Sequence, residues 1–449
     1  MDATSTERSP GMKLGLAILI GILLTLPLFS VWLLIYDRAS QSETARTSIA
    51  EGWGGPQTIA GPVLVIPYRA TITETVTAAN GPVVRSRQIW RHLTLAPEAA
   101  DLVTTIEPER RKRSIYEVVV YEAGLTGRAR FSLPQDLAGF GVALSDMALD
   151  RAELRFGVSD PRGLFGAPPR VNVGGRPLRL QPGNGAAATG GSGFFGWVDA
   201  NGLLGSSLLV DYGFAFRGNG VLSLVPQAGD THWRVKSSWP HPSFQGSFLP
   251  SERHLSARGF QADYRVGNLA LGKSLVSTSD ASADAGKAGL SARIDLVQPV
   301  DLYSQVDRSA KYGFLFIGFT FLAFLLFDLV GGVRISAVEY LLVGAALVLF
   351  FVLLLAFAEV IGFTPAYIVA STAIVGLNTS YSAAILKSWR RAMLVGALLT
   401  ALYAILYVLL SLEAFALLIG SLMLFLALAA VMYLTRNLSW GTRLEPATT

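Results

Sequence analysis

The sequence has no cysteine, only four histidines in 449 residues, and charged residues make up only 15% of it. Without cysteine there is neither a disulfide framework nor a thiolate metal site, although a protein on either side of a membrane can lack both. The patterns G-x-S-x-G and H-E-x-x-H, which mark many serine hydrolases and zinc peptidases, are also missing. The sequence therefore contains no pattern that indicates an enzyme, and it predicts no cofactor and no metal.

Nucleic acid is not an expected partner either, because the excess of positive charge is small. The formal net charge is +5, and 29 Lys and Arg against 25 Asp and Glu leave 29 − 25 = +4 over residues 37–311. The densest cationic cluster is RRKR, residues 110–113. We predict that this cluster is a solvated turn, with contact to an acidic partner or a lipid head group as the alternative.

Hydrophobic residues make up 51% of the chain and are concentrated in six runs. A helix of about 20 apolar residues crosses a hydrocarbon core of about 30 Å. The first run is too long for the apolar part of a cleavable signal peptide, so we predict that it is a retained anchor. The six predicted spans are 14–36, 312–330, 337–357, 360–381, 392–410 and 413–434, between terminal tails 1–13 and 435–449.

Positively charged residues predict how these spans are oriented, because Lys and Arg accumulate on the cytoplasmic side. The loops AEVIG (358–362) and SLE (411–413) contain no Lys or Arg. The tails and the loops on the opposite side contain Arg8, Lys13, Arg334, Lys387, Arg390, Arg391, Arg436 and Arg443. Both termini are therefore predicted to be cytoplasmic, and residues 37–311 to be extracytoplasmic.

Residues 37–311 have the pattern of β structure, since apolar residues alternate with a period of two in segment after segment. Four such faces lie in 208–216, 233–239, 260–266 and 292–296. The expected fold class is therefore an α + β integral membrane protein. It has one N-terminal transmembrane helix, a large, mainly antiparallel, sandwich-like β domain outside the cytoplasm, and a C-terminal bundle of five transmembrane helices.

Turns and loops of this domain follow from glycine and from small polar residues. RGNG at 217–220 is predicted to be a turn, and 115–121 with 125–133 to form a hairpin whose corner is Gly124. Residues 182–193 and 277–289 contain few large apolar side chains. We therefore predict that these two segments are flexible loops.

One segment matches a phosphate-binding pattern in full: GNLALGKS, residues 267–274, fits G-x-x-x-x-G-K-[ST]. In a phosphate loop this pattern follows a buried strand and opens a helix, whose N-terminus binds the anion. Here the preceding residues alternate like an antiparallel strand, and the following residues have no helical period. We therefore do not predict a nucleotide site.

Three of the histidines, His232, His241 and His254, lie close enough in sequence to form a zinc site if they converge in space. In WPHPSFQGSFLP, residues 239–250, two prolines hold His241 in a short rigid stretch after a strand. A structural corner is the main interpretation of this segment. The alternative is a ligand-binding rim in which His241 or Ser243, beside Trp239, makes polar contacts.

The acidic residues near the spans, Asp328, Glu339, Glu359 and Glu413, lie at the span ends. A charge at the centre of a bilayer costs roughly 2.5–3.5 kcal/mol, so we interpret these residues as interfacial, with Asp328 and Arg334 as an expected pair. The fifth span has a small residue at every fourth position. This ridge, which predicts close packing of a neighbouring helix, consists of Ala392, Gly396, Thr400 and Ala404.

Several segments are familiar in combination: GWGGPQTIAGPVLVIPY (52–68), DPRGLFG (160–166), SSWPHPSFQGSFLP (237–250), GFQADYRV, QPVDLY (298–303), KYGFLFIGFTFLAFLLFDL, AYIVASTAIVGL and LLIGSLMLFLALAAVMYLTR. Together they resemble the CreD family of bacterial inner-membrane proteins, over nearly the whole chain. The stretches around Gly190 and Ala281 show no family pattern. The resemblance implies an inner-membrane protein with a large periplasmic domain, linked to envelope integrity, tolerance of certain colicins and a two-component regulator. It implies no catalytic residues.

Three functions remain open on this basis. The first is a non-enzymatic envelope-maintenance protein that is anchored in the lipid bilayer and binds a periplasmic ligand or an envelope protein. The second is a transporter, or a protein that handles lipids or envelope precursors, because one span would suffice as an anchor. The third is a periplasmic hydrolase, which requires the three histidines to converge. The sequence gives no indication of the oligomeric state.

Overall fold

The fold is a mixture of helices and β-sheet, seen in a computed structural model that describes residues 10–78, 81–113, 116–135, 137–278, 290–297, 302–329, 335–411 and 416–436. The chain divides into two compact units, a helical unit (Met1–Glu43 with Val300–Thr449) and a β unit (Thr44–Pro299). The helices are α1 (Pro10–Trp53), α2 (Asn268–Leu271), α3 (Leu302–Lys311), α4 (Gly313–Leu329), α5 (Ala337–Ile361), α6 (Phe363–Ile385), α7 (Trp389–Ser411) and α8 (Ala416–Thr435).

The strands all belong to the β unit. They are β1 (Gln57–Ala78), β2 (Gly81–Leu95), β3 (Ala99–Arg113), β4 (Tyr116–Phe131), β5 (Ala152–Val158), β6 (Arg170–Val173), β7 (Arg176–Pro177), β8 (Gln181–Pro182), β9 (Gly193–Val198), β10 (Leu208–Asn219), β11 (Val221–Val225), β12 (Asp230–Ser237), β13 (Pro242–Gly246), β14 (Glu252–Ser256), β15 (Gly259–Gly267), β16 (Val276–Thr278) and β17 (Ala292–Leu296).

These strands form two sheets. The nine-stranded sheet has the order β13-β17-β11-β1-β5-β9-β8, with β2 paired to β1 and β16 to β2. The eight-stranded sheet has the order β14-β15-β12-β3-β4-β10-β6-β7. The pairs β1 with β11 and β3 with β12 are parallel, and the other pairs between named strands are antiparallel. The sheets are therefore mainly antiparallel.

The inner faces of the two sheets share one hydrophobic core. The alternating residues of β10, β12, β15 and β17 are buried in it, as their period of two predicts. Aromatic rings meet across the sheets: the centroid distance is 5.2 Å between Phe156 and Tyr212, and 5.5 Å between Phe194 and Phe214. The shared core gives the β unit the two-layer form of a sandwich. Of the predicted turn at 217–220, only Gly220, at a φ of +53°, lies between two strands, and it carries the chain from one sheet to the other; residues 217–219 belong to β10.

The predicted hairpin with its corner at Gly124 is wrong, because β4 runs straight through this residue and pairs with β3 and β10. The predicted turn at RRKR is also wrong, since these residues form the end of β3. The side chains of Arg110 and Lys112 are nevertheless solvated: they are 56% and 72% exposed and lie 3.4 and 3.7 Å from Glu117. Glycine and clustered charge are common in turns, but pairing along the length of β3 and β4 overrides these local preferences.

The segment 182–193 is ordered, contrary to its prediction as a flexible loop. The amides of Gly183 and Gly185 donate to the carbonyls of Gly193 and Gly191 at 3.0 and 2.8 Å. Ala186 is buried in a small cluster with Ala60, Val63 and Val225. Glycine lets the two sides of this loop approach closely, so backbone hydrogen bonds replace large apolar side chains as its support. Of the other predicted loop, residues 279–289 lie outside the described part of the chain.

A buried side-chain hydrogen bond in the β unit supports a stability prediction. The indole N–H of Trp233 on β12 donates to the hydroxyl of Thr104 on β3 at 2.9 Å. Valine at position 104 would keep the shape of threonine but leave the indole N–H without an acceptor. We expect Thr104→Val to lower the free energy of unfolding by about 1–3 kcal/mol, measured by denaturant titration. Thr104→Ser, which keeps the hydroxyl, is the control, and equal stability of the valine variant and the wild type would contradict the prediction.

Five helical segments of the described chain are long and apolar enough to cross a membrane: Gly11–Ala45, Leu302–Leu326, Ala337–Ile361, Phe363–Ile385 and Trp389–Leu410. The start of α5 is set by a capping box, in which the Ser336 hydroxyl accepts from the Glu339 amide and the Glu339 carboxylate accepts from the Ser336 amide. Gly362, at a φ of +81°, separates α5 from α6. The helix α3, which is amphipathic and directly precedes α4, was not predicted from the hydrophobic runs.

Candidate functional site

The outer face of the eight-stranded sheet has a depression of about 610 Å³ over β3, β4 and β10. Residues that lie directly opposite each other on neighbouring strands share one face of a sheet, so the strand register places the side chains in rows. Two adjacent rows of small side chains form the floor, which we call the trough. These rows are Thr105, Gly124 and Ala215, and Val103, Thr126 and Gly213.

Gly124 in the floor of the trough has no structural reason to be glycine. It is exposed in the middle of β4, its φ is not positive, and a Cβ added there would meet no atom within 4 Å. Glycine in a strand costs roughly 0.5–1 kcal/mol relative to alanine. Gly127, three residues on, differs, because a Cβ there would collide with the ring of Tyr212. A glycine inside a strand is typical of a bulge, of a tight bend, or of a place where a ligand or another backbone approaches closely.

Charged rows border the trough on both sides. One row contains Asp101, Arg128 and Asp211, and Arg128 lies 2.7 Å from Asp211. The hydrogen bond to Asp211 raises the pKa of the Arg128 guanidinium above its usual value. On the other side, Arg217 donates to Glu122 at 2.9 Å. The trough therefore has small side chains in its floor and paired charges along its borders. The exposed Arg170 on β6, which lies opposite Gly213, also lines the depression, and this arrangement is suited to a polar ligand.

A second depression, of about 540 Å³, lies on the same face and shares Thr105 with the trough. It extends over β12, β15 and β14, where Lys236, Gln261 and His254 follow Thr105 in one row. The sequence pattern alone did not bring these residues together, because they come from four strands whose order depends on long-range pairing. Together the two depressions form a groove across the strands of the sheet.

The segment around His241 forms a corner at the edge of the nine-stranded sheet. Trp239 is only 5% exposed, and its indole N–H donates to the carbonyl of Val297 at 3.0 Å. Pro242 begins the edge strand β13, a position where a missing N–H is tolerated. His241 is exposed, and Ser243 is half-buried, with its hydroxyl accepting from the side-chain amide of Gln245 at 3.2 Å. Trp239 therefore faces the core, while His241 faces solvent.

The three histidines are not brought together. His232 and His254 lie opposite Arg265 and Gln261 on β15, four residues and therefore about 13 Å apart along the strand. His241 lies beside the other sheet. Among the described residues, no group of three potential ligands could hold a metal ion. The hydrolase hypothesis, which required convergence, is not supported by these positions.

His232 instead lies between two carboxylates. Its Nδ1 is 3.3 Å from Asp101 and its Nε2 is 3.3 Å from Asp263, on the strands to either side. Carboxylates only accept hydrogen bonds, so a neutral imidazole can donate to one of them and an imidazolium to both. The arrangement links β3, β12 and β15 on the outer face and requires no metal.

The phosphate-loop pattern at 267–274 has a different local structure from a phosphate loop. It follows the antiparallel strand β15, and its single helical turn, α2, lies within the pattern. Gly272, at a φ of +60°, ends this turn, so no helix follows Lys273. The geometry that gives a phosphate loop its anion affinity is therefore not formed in this described segment.

Two of the recognised segments, GWGGPQ and DPRGLFG, meet at Gln57, which is fully buried. Its side-chain amide donates to the carbonyls of Asp160 and Arg217 at 3.1 and 2.9 Å. Its side-chain oxygen accepts from the Asp160 amide at 3.3 Å. A Cβ on Gly163 would lie 2.5 Å from both the Gln57 amide and the Arg217 carbonyl. We call this contact between the two segments the junction. It explains why positions 57 and 163 are glutamine and glycine, because both residues have a structural role there.

Trp53, at the end of α1, is the aromatic part of the same junction. The guanidinium groups of Arg111 and Arg217 lie over its ring at 3.6 and 4.0 Å, and its indole N–H donates to the carbonyl of Tyr121 at 3.4 Å. Arg110 lies over the ring of Trp239 at 5.3 Å, so two arginines of the RRKR cluster contact aromatic rings of the β unit.

The stability of the junction depends on pH because of the carboxylate of Asp160. It accepts from the Arg162 guanidinium at 2.9 Å and from the Gly55 amide at 3.2 Å, and the bond to Arg162 holds the pKa of Asp160 below its ordinary value of 3.8. A lowered folded-state pKa adds stability above the unfolded pKa, and this stability is lost as the pH falls through the folded-state pKa. We therefore expect Asp160→Asn to be less stable than wild type at pH 7, with the difference shrinking below about pH 4. Urea titrations at several pH values measure this, and a constant difference would contradict it.

In the helical unit, the buried carboxylate of Asp328 has a different partner from the one expected. Lys13 on α1 lies 2.7 Å from Asp328 on α4. Arg334, the expected partner, lies outside the described residues. The carboxylate of Glu359 accepts from the Tyr303 hydroxyl at 3.1 Å. Of the predicted interfacial acids, Glu413 also lies outside the described residues.

The small-residue ridge of α7 is only partly covered. Ala392 and Gly396 are buried, and a Cβ on Gly396 would lie 2.6 Å from the hydroxyl oxygen of Thr379 on α6. Thr400 and Ala404 are exposed, and the Thr400 hydroxyl donates to the carbonyl of Gly396. The close approach of α6 and α7 therefore occurs at Gly396.

Several polar side chains of α6 are buried. Asn378 and Ser382 are 1% and 0% exposed, and the Asn378 side-chain nitrogen and the hydroxyls of Thr379 and Ser382 have no hydrogen-bond partner among the described residues. Amides and hydroxyls inside an apolar helix are visible in the sequence, but the sequence does not show which of them face the interior.

Comparison with known proteins agrees with this architecture. A family model described as "Inner membrane protein CreD" matches residues 9–441. The protein "Inner membrane protein CreD" of Escherichia coli (strain K12) is 33% identical over 421 residues, which cover 93% of this chain and 91% of the relative. The match includes both the membrane helices and the β unit. The chain therefore belongs to the CreD family of inner membrane proteins.

Proposed function

We propose that this protein is a non-enzymatic binding protein of the cell envelope. In this proposal the helices anchor it in the inner membrane, with one N-terminal span and five C-terminal spans that include α8, and with both termini in the cytoplasm. The β unit is then periplasmic, and it binds a polar ligand or an envelope protein in a way that supports envelope integrity. The distribution of Lys and Arg supports the orientation.

The observation that carries the binding proposal is Gly124, an exposed glycine that neither the backbone nor the packing of β4 requires. It lies in a depression of about 610 Å³, within the range of roughly 300–1,000 Å³ that is common for ligand sites. A ligand in contact with the backbone would account for the missing side chain. The paired charges beside the trough would then fix its orientation.

The test fills the trough and leaves the sheet otherwise intact. Cells that lack the native protein would express the wild type, Gly124→Ala or Gly124→Trp at equal levels, and detergent sensitivity would be measured. We expect the tryptophan variant to be sensitive and the alanine variant to be less sensitive but not fully resistant, because the indole fills the depression whereas the methyl group only displaces a ligand from the backbone of Gly124. Thermal unfolding of both purified variants controls for misfolding. Full resistance of the tryptophan variant would remove the trough from the proposal.

The corner at His241 remains a second proposed contact surface, with Trp239 as its buried support. His241→Ala combined with Ser243→Ala removes its polar groups and leaves the buried Trp239 in place. Under the rim hypothesis this variant is detergent-sensitive at a normal protein level. Resistance equal to wild type would assign the segment a purely structural role.

Transport is the second candidate function, and the buried polar side chains of α6 favour it. Uncompensated polar groups are costly inside a bilayer and are commonly kept for a substrate or for water. Asn378→Leu would remove the largest of these groups. If this variant reaches normal levels in the membrane and fully restores detergent resistance, a path along α6 is not needed for the envelope function.

A further inference from the structure

The depression over β12, β14 and β15 has more positive charge than nearby carboxylates neutralise. Lys236 and Arg258 line it, and no carboxylate of the described residues lies at ion-pairing distance from either. His254 adds a third basic group, and Glu107 is an acidic residue of the lining. All four residues are exposed. The two cationic side chains are therefore available to a ligand.

Hydrogen-bond donors in this depression are arranged in a row. Thr105 lies beside Lys236, Lys236 beside Gln261, and Gln261 beside His254. Neighbouring strands are about 4.8 Å apart, so the row presents a hydroxyl, an ammonium, an amide and an imidazole at regular spacing. Arg258, in the turn between β14 and β15, adds a guanidinium to the lining. The row continues into the trough, because Gly124 on β4 lies directly opposite Thr105 on β3.

We infer that this depression binds the phosphate group of a ligand. A phosphate monoester has a charge near −1.5 to −2 and three acceptor oxygens, which matches two cations and several further donors. A carboxylate has one charge and two oxygens, fewer than these donors could satisfy. A guanidinium is also well suited to bind two phosphate oxygens at once. With a volume of about 540 Å³, the depression has room for more than the phosphate itself.

This inference rests on the proposed function, since it names the anionic end of a ligand bound on the same face. The rest of the ligand would extend past Thr105 over the backbone of Gly124. The direction follows from the shared residue of the two depressions. A phosphate bound near Lys236 and Arg258 would thus place a further polar portion of the ligand in the trough, whose lining includes Arg170.

The test is calorimetric titration of the full-length protein, in a neutral detergent, with inorganic phosphate at constant ionic strength. We expect the wild type to bind phosphate. The double variant Lys236→Gln with Arg258→Gln should bind phosphate at least about tenfold more weakly. Arg253→Gln is the matched control, because Arg253 is exposed on β14 next to His254 but does not line the depression. Its affinity should equal that of the wild type.

A gain-of-affinity variant separates this result from misfolding. Glu107→Gln removes the negative charge from the lining. Phosphate should therefore bind at least about threefold more tightly. A damaged protein would not show tighter binding. A second titration with dihexanoyl phosphatidic acid, against dihexanoyl phosphatidylcholine, shows whether the phosphate comes from a lipid. Binding of the phosphatidic acid alone, lost in the double variant, would support the site and assign it to a lipid head group.

Two outcomes would overturn the inference: no binding of phosphate or phosphatidic acid by the wild type, or equal binding by the double variant. The proposed function fails by a different result, namely full detergent resistance of Gly124→Trp. If that variant is sensitive while neither phosphate nor phosphatidic acid binds, the binding face stands and its ligand has no phosphate group. If phosphate binds while Gly124→Trp is resistant, the anion site stands without the trough.

Discussion

Replacement of Gln57 by leucine is expected to destabilise the β unit by about 3–4 kcal/mol. The side chain is fully buried, and its amide donates to the carbonyls of Asp160 and Arg217 while its oxygen accepts from the Asp160 amide. Leucine has a similar size but removes all three hydrogen bonds. The Asp160 amide and the Arg217 carbonyl then lose the partner that Gln57 supplies, while the Asp160 carbonyl still accepts from the Gly163 amide at 3.0 Å. Each uncompensated buried group costs roughly 1–3 kcal/mol, and the loop can relax to recover part of the loss.

Equilibrium unfolding in urea, followed by tryptophan fluorescence of the full-length protein, measures this loss. Gln181→Leu is the matched control, since Gln181 is exposed on β8 and the same substitution there should change stability by less than about 0.5 kcal/mol. Equal effects at positions 57 and 181 would show that the hydrogen bonds of Gln57 do not hold the junction. Gln57→Glu adds a further check, because a carboxylate cannot donate to the two carbonyls and should also destabilise the unit at pH 7.

The junction at Gln57 also shows why local sequence patterns predicted the strands better than their arrangement. Alternation within β10, β12, β15 and β17 depends on neighbouring residues, and their buried faces are those expected. Gln57 meets Asp160 and Arg217, which are far away in sequence. Such contacts depend on which strands pair, and a pattern with a period of two contains no information about pairing.

Gly124 illustrates the same limit for the candidate site. A glycine between two apolar segments predicts a turn, whereas in the structure it lies in the floor of a trough on a continuous strand. Only the paired strands reveal that it is exposed and that nothing packs on it. Lys236, His254 and Arg258 likewise have no common motif, and they line one depression because β12, β14 and β15 are neighbours in the sheet.

The helical unit was more predictable, because hydrophobic length is a property of each segment. The predicted spans from residue 337 onwards overlap α5, α6, α7 and α8. The polar contacts were less predictable: Asp328 pairs with Lys13, which is more than three hundred residues away in sequence. The packing of the helices therefore has to be measured directly, and a substitution at Gly396 tests it.

Replacement of Gly396 by leucine is expected to destabilise the helical unit by about 2–4 kcal/mol. An added Cβ would lie 2.6 Å from the hydroxyl oxygen and 3.1 Å from the methyl group of Thr379. Threonine is branched at Cβ and stiff at χ1, so α6 and α7 would have to move apart. Helices in a bilayer are held together mainly by packing, and the hydrophobic effect would not restore the lost contact.

Gly376→Leu on α6 is the matched control, because a Cβ at Gly376 would meet no atom within 4 Å. Unfolding of both variants in a mixture of mild detergent and dodecyl sulfate, followed by circular dichroism, should show a loss for position 396 and little change for position 376. The same pair separates the two candidate functions. If the bundle only anchors the protein, Gly396→Leu should still confer detergent resistance at normal protein levels, since a loosened anchor retains the β unit. If the bundle forms a transport path, moving α7 away from α6 should abolish resistance while Gly376→Leu preserves it.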